Sequence, residues 1–161
     1  MEEIGKKLNI VGGFSKNAVH YVLAHSYSFY FLMFLLGVFM NIFYPIRIFE
    51  SYYMSTTGFV ILVLGTVLIV WAQNTSRDLN TTNLSKDIFY QGPYRYTRGP
   101  THLGLFLLIL GFGIIANSVY IVIFSIISFL VGKFFFLKKE EEILATKYGT
   151  PYIEYKKIVR F

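Results

Sequence analysis

The charged residues of this chain fall in blocks, and long runs without any charge lie between them. From Tyr27 to Ile46 no residue carries a formal charge. At about 1.5 Å per helical residue such a run crosses a hydrocarbon layer about 30 Å thick. A first transmembrane helix is expected over about 27–46, with Pro45, Arg47 and Glu50 at its exit. A second apolar run, about 54–72, ends near Trp71, whose amphipathic ring suits a membrane boundary. These two helices are expected to form an antiparallel pair. After Pro100 the next formal charge is Lys133, and apolar character continues to Leu137. As one helix that run would reach roughly 50 Å, so it must fold back. Asn117 and Ser118 offer the turn, and Gly111 and Gly113 let the resulting helices, about 101–116 and 119–137, approach closely. The expected fold is all-α, one polytopic membrane domain over 1–161 with about four transmembrane helices, a cytoplasmic central loop and a short helical C-terminal tail.

The polar blocks complete this frame. Residues 1–16 lack the apolar core of a cleaved leader and read as a polar tail before an interfacial segment. Residues 73–100 form a loop too long for a simple helical connection, and its Tyr, Pro and Gly content argues for order. From Lys138 to Phe161 the chain is too charged for lipid and too aromatic for a solvated end. It is expected to continue the fourth helix out of the membrane and to double back at Gly149 and Pro151 in a second short helix. Lys6, Lys7 and Lys16, the four basic residues Arg77, Lys86, Arg95 and Arg98, and the tail cations all fall on one side, against Arg47 alone on the other. The positive-inside rule then puts both termini and the central loop in the cytoplasm.

Composition narrows the chemistry. The chain is 55% hydrophobic and only 15% charged, with 17 Phe and 13 Tyr, which suits lipid better than a soluble core. The net charge of +6 is spread beside apolar segments and forms no separate basic domain, so anionic lipid is the expected contact and nucleic acid is not. Cysteine is absent, which excludes disulfides and thiolate chemistry. His20 and His25 fall on different faces of a shared helix, and no metal site is expected. There is no P-loop, no strand-borne GxGxxG, no HExxH and no serine nucleophile elbow.

What is left is the stretch Gly92–Gly104, GPYRYTRGPTHLG, and the glutamates of the tail. Glycine permits close backbone approach to a ligand, and a proline that opens a helix leaves free N–H groups beside it. Arg95 and Arg98 read either as membrane-side anchors or as ligand contacts. His102, in the first turn of the third helix, reads as a structural hydrogen-bonder or as an ionisable group with a function. Glu140, Glu141 and Glu142 read as a solvated helix start or as carboxylates facing a pocket shared with the loop.

Two motifs in these stretches resemble the integral-membrane methyltransferases typified by isoprenylcysteine carboxyl methyltransferase, with phospholipid N-methyltransferases as relatives. The first is Gly92, Pro93, Tyr94, Arg95, Tyr96, Arg98, Pro100 and Gly104; the second is Glu140, Glu141, Leu144, Tyr148, Gly149, Tyr152 and Tyr155. The match covers about 86–160. Gly99 stands where that family usually has His, and His102 where it usually has Tyr, so an imidazole sits about one helical turn further on.

The resemblance implies an S-adenosylmethionine site built from the loop, the start of the third helix and the tail. It implies Gly92, Tyr94, Arg98, Pro100, His102, Gly104, Glu140, Glu141 and Tyr148 as cofactor-binding residues, and Arg98, His102 and Glu140 as catalytic ones. The implied acceptor is lipidic, a prenylated cysteine carboxylate or an amine-like phospholipid group. Two other readings stand beside it: a nicotinamide-dependent reductase of the sterol type, and a small polytopic membrane protein that keeps the scaffold without catalysis.

Overall fold

The computed structural model describes residues 2–49, 53–78 and 89–159, so the loop positions 79–88, with Lys86, together with Glu50 and Arg160, lie outside the described residues. Among the described residues every regular element is helical. In chain order they are α1 (Glu2–Phe43), α2 (Tyr53–Asp78), a 3-10 turn (Gly92–Arg95), α3 (Pro100–Ile115), α4 (Val119–Val131), a π turn (Gly132–Phe136), α5 (Leu137–Tyr148) and α6 (Thr150–Ile158). Among the described residues, three stretches are long and apolar enough to cross a membrane: Tyr21–Phe43, Met54–Ser76 and Val119–Tyr148. The fourth expected crossing, Pro100–Ile115, is a shorter apolar helix of 16 residues.

The helices begin and stop where the chemistry dictates. Pro100 opens α3 at a position whose N–H an α-helix leaves unbonded in any case. Asn117 takes a left-handed φ of 50° and ends the α3 segment, and Ser118 caps α4, its hydroxyl accepting from the Ile121 N–H at 3.4 Å. The fold-back expected at Asn117 and Ser118 is therefore in place. Asn117 also ties this corner to the chain after α1: its Oδ1 accepts from the Ile48 and Phe49 N–H groups, both at 2.9 Å, and its Nδ2 donates to the Phe49 carbonyl at 2.7 Å.

Two expectations change. The segment read as a polar tail is the helical start of α1. Residues 2–43 contain no proline, and a helix once nucleated propagates at little further cost. The first two long helices are also not each other's partners. The main contacts of α1 are with α4 and α5, whereas α2 packs along α3.

Glycines decide both seams. On α2 and α3, Gly58 faces the Gly111 backbone and Gly65 faces Gly104, so the two helices run antiparallel with a glycine pair at each of two levels. A methyl group at Gly65 would lie 2.6 Å from the Leu108 nitrogen, and one at Gly111 would lie 2.5 Å from the Leu62 nitrogen. No side chain fits there, which is how small residues let helix backbones meet. Gly111 thus packs on α2, while Gly113 faces Ile121 and Val122 of α4. Between α1 and α4, a methyl group at Gly37 would lie 3.0 Å from the Ile121 Cα, beside a buried cluster of Tyr30, Ile109 and Ile121. Much of the remaining surface, including Phe31, Leu35, Phe39, Val60, Leu64 and Val67, is exposed and apolar, as lipid-facing helices require.

At the π turn the Leu137 N–H donates to the Gly132 carbonyl five residues back. The extra residue turns the following helix by about 100° relative to α4. Phe134 and Phe135 stay exposed, and Glu140 and Glu141 become buried.

Candidate functional site

The start of α3 and one face of α5 enclose a cavity of about 640 Å³ together with the 3-10 turn, α6, the middle of α1 and the end of α2. Its volume is that of a small-molecule site, for which about 300–1,000 Å³ is usual. Arg98, Pro100 and His102 line it from the loop and α3, Tyr94 from the 3-10 turn, and Glu140 and Tyr148 from α5. The sequence therefore names six lining residues from two stretches about forty positions apart, and the fold brings them together.

His102 is the most buried of the ionisable lining groups, with 2% of its surface exposed. Its Nε2 lies 3.0 Å from Glu140 Oε1, while its Nδ1 is buried without a hydrogen-bond partner. A carboxylate at Nε2 favours the tautomer with the proton there, which leaves a lone pair on Nδ1. The Tyr30 hydroxyl, from α1, lies 3.5 Å from the His102 carbonyl, and the two rings are stacked at a tilt. Gly99 explains where the imidazole comes from: a side chain at position 99 would point at Leu137 and lie 3.6 Å from the His102 ring. Positions 99 and 102 open onto the same space, one turn apart.

Glu141 faces elsewhere. It pairs with Arg98 at 2.8 Å and with Lys156 of α6, an ion triad that fastens the loop and α6 to α5. Glu142 is exposed. Gly104 does not line the cavity, because its open side is closed by Gly65 and Ile69 of α2. Gly92 does not line it either; with φ 55° it opens the 3-10 turn where a side chain would strike Thr75. Both glycines are explained by packing and turn geometry.

An aromatic wall closes the remaining side. Phe89, Tyr152, Tyr155 and Val159 form one buried cluster with Tyr94, Leu144 and Tyr148 packed on it, and Phe89 meets the Tyr148 and Tyr152 rings edge-on at 5.0 and 5.4 Å. The Tyr155 hydroxyl donates to the Tyr94 carbonyl at 2.7 Å, which pins α6 to the 3-10 turn. Burial pushes the Tyr94, Tyr152 and Tyr155 phenols above the ordinary tyrosine value; at Tyr94, hydrogen bonds with Ser76 and Thr101 pull the other way.

Sequence reading missed the part of the wall supplied by α1 and α2. Leu23, Ala24 and Tyr27 line the cavity from α1, and Gln73 and Ser76 from α2. The available signal was polarity within apolar runs, a tyrosine at the start of one and an amide at the end of the other, but nothing local says which way they face.

The family model described as phospholipid methyltransferase matches residues 53–151, which takes in α2, the loop, α3, α4 and α5 and stops two residues into α6. No curated protein and no solved structure matches this chain.

Proposed function

Because the chain belongs to the phospholipid methyltransferase family, we propose that it transfers a methyl group from S-adenosylmethionine to the amine-like headgroup of a membrane phospholipid, in the cavity described above. The observation that carries this is the buried His102–Glu140 pair, both of whose members line the cavity.

The lining suits the cofactor. Aromatic faces at Phe89, Tyr148 and Tyr152 attract a cationic sulfonium, and Glu140 adds a carboxylate. When bound, the cofactor supplies an electrophilic methyl carbon whose bond to sulfur breaks as the acceptor nitrogen bonds to it. An ammonium acceptor must first lose a proton, and the Glu140 carboxylate takes it, held in place by His102 through Nε2. A carboxylate acceptor would need no such base, which is why the pair favours an amine. Tyr94 and the Arg98–Glu141–Lys156 triad hold the loop and α6 around the reactants, so positioning supplies much of the rate.

The same reading puts four crossings in the membrane. At about 24 Å, α3 is short for the bilayer, but its glycine seam lets it ride on the longer α2. The distribution of the basic blocks supports a cytoplasmic cavity and cytoplasmic termini.

The test is methyl transfer from labelled cofactor to lipids in bilayer discs. Wild-type protein should methylate an ethanolamine-type phospholipid and not a prenylated cysteine. His102→Ala and Glu140→Gln should each lower kcat by about 10²-fold or more, the usual contribution of a general base. Transfer to no lipid amine, or full activity in both variants, would sink the proposal.

A further inference from the structure

One charged group of the cavity has no role in the chemistry above. Lys147 lines the wall from the last turn of α5. The other side chains there are matched: Arg98 is held by Glu141, and His102 and Glu140 hold each other. The Lys147 ammonium lies 5.0 Å from the centre of the Tyr148 ring, and among the described residues no carboxylate comes within ion-pairing distance of it. A half-buried ammonium beside an aromatic face, open to a cavity, carries a positive charge that no described carboxylate offsets and that an incoming anion would neutralise.

Its place along the helix adds a direction. Glu140, Leu144 and Lys147 follow at i, i+4 and i+7, so they share one face of α5, and all three line the cavity. The carboxylate end and the ammonium end are therefore about 10 Å apart along the helix. The face is polarised, with the His102–Glu140 pair at one end and an unmatched cation at the other.

We infer that Lys147 is an anion subsite of this cavity, binding a carboxylate or phosphodiester oxygen of the ligand whose cationic or proton-donating part lies toward His102 and Glu140. Under the methyl-transfer reading, on which only the identity of the anion rests, there are two sources: the amino-acid carboxylate of the cofactor and the phosphodiester of the acceptor lipid. Both put a negative charge and a positive centre in one molecule.

The subsite is tested first without any turnover. Lys147 is modified with an amine-directed reagent and followed by mass spectrometry, with the exposed Lys157 as internal reference. Inorganic phosphate should slow modification of Lys147 relative to Lys157, compared with chloride at equal ionic strength. Equal rates would overturn the subsite whatever the assays show. Kinetics then identify the anion. Lys147→Met should raise KM for one substrate by about 10- to 100-fold, the weight of a hydrogen bond to a charged group. It should leave kcat nearly unchanged, and Lys147→Arg should recover most of the loss. A rise confined to the cofactor, and absent with its decarboxylated analogue, assigns the carboxylate. A rise confined to the lipid assigns the phosphodiester. No rise in either KM overturns the inference. If wild-type protein transfers no methyl group at all, the functional reading fails, and the protection experiment still decides the subsite.

Discussion

Gly149 separates α5 from α6 with φ 61° and ψ −134°, a conformation that residues with a side chain rarely adopt. A methyl group there would touch nothing within 4 Å, so any effect of Gly149→Ala is backbone strain alone. The expected loss is about 1–3 kcal/mol, read as a lower Tm in detergent. At Tyr155, replacement by Phe removes the part-buried bond to the Tyr94 carbonyl, which should destabilise by about 1 kcal/mol and loosen the aromatic wall. The buried phenols also give a pH dependence with a definite sign. Tyr94, Tyr152 and Tyr155 have raised values in the folded chain against 10.0 unfolded. Below that value both states keep the proton and stability is full. Above it the unfolded chain releases protons that the folded chain holds, so stability falls through the alkaline range until the folded phenols themselves ionise. Thermal unfolding followed against pH, with tyrosinate absorbance as the second signal, should show these three phenols ionising only with unfolding. Their ionisation in intact protein at the ordinary tyrosine value would refute the burial argument.

At the scale of elements, the two helical seams and the π turn make opposite demands. A side chain at Gly65 or Gly111 meets backbone that cannot yield, whereas one at Gly99 meets the ends of Leu137. Gly65→Ala and Gly111→Ala should each cost about 1–3 kcal/mol by forcing α2 and α3 apart, and Gly99→Ala should cost clearly less. Equal Tm losses at all three positions would show that the seam is not what sets them apart. In the π turn, deleting exposed Phe134 should restore a regular helix and rotate α5 by about 100°. Helix content by circular dichroism should hold while methyl transfer is lost, because Glu140 no longer reaches His102. Much of this scale was legible beforehand. Charge gaps gave the apolar helices, Asn117 and Ser118 the fold-back, and Gly149 with Pro151 the doubled tail. The two site motifs converged because each sits at the start of a helix. What stayed hidden were relations between elements. The facing of Gly104 toward Gly65 depends on which helix α2 chooses as partner, and periodicity in an all-apolar helix carries no such information. The walls from Tyr27 and Gln73 were hidden for the same reason.

The whole molecule is a set of helices that keeps most of its apolar surface outward and gathers the buried His102, Glu140 and Glu141 at one end. With no cysteine in the chain, single substitutions report sidedness without background. Pro45→Cys and Thr146→Cys sit on exposed positions at opposite ends of the bundle. In intact cells an impermeant thiol reagent should label the first and spare the second. The reverse pattern would turn the cavity away from the cytoplasm.

The choice of partners also sets an order in time. Translation delivers α1 and α2 first, yet neither has the other as a main contact, and the seams that hold them belong to α3, α4 and α5. Until those emerge from the ribosome, the first two helices are separate tenants of the bilayer. A chain stopped at Asp87 should insert both and assemble neither, with no crosslink between cysteines placed in α1 and α2. Supplying the missing half in trans should bring them together, since the seams that hold α1 and α2 join the early half to the late one.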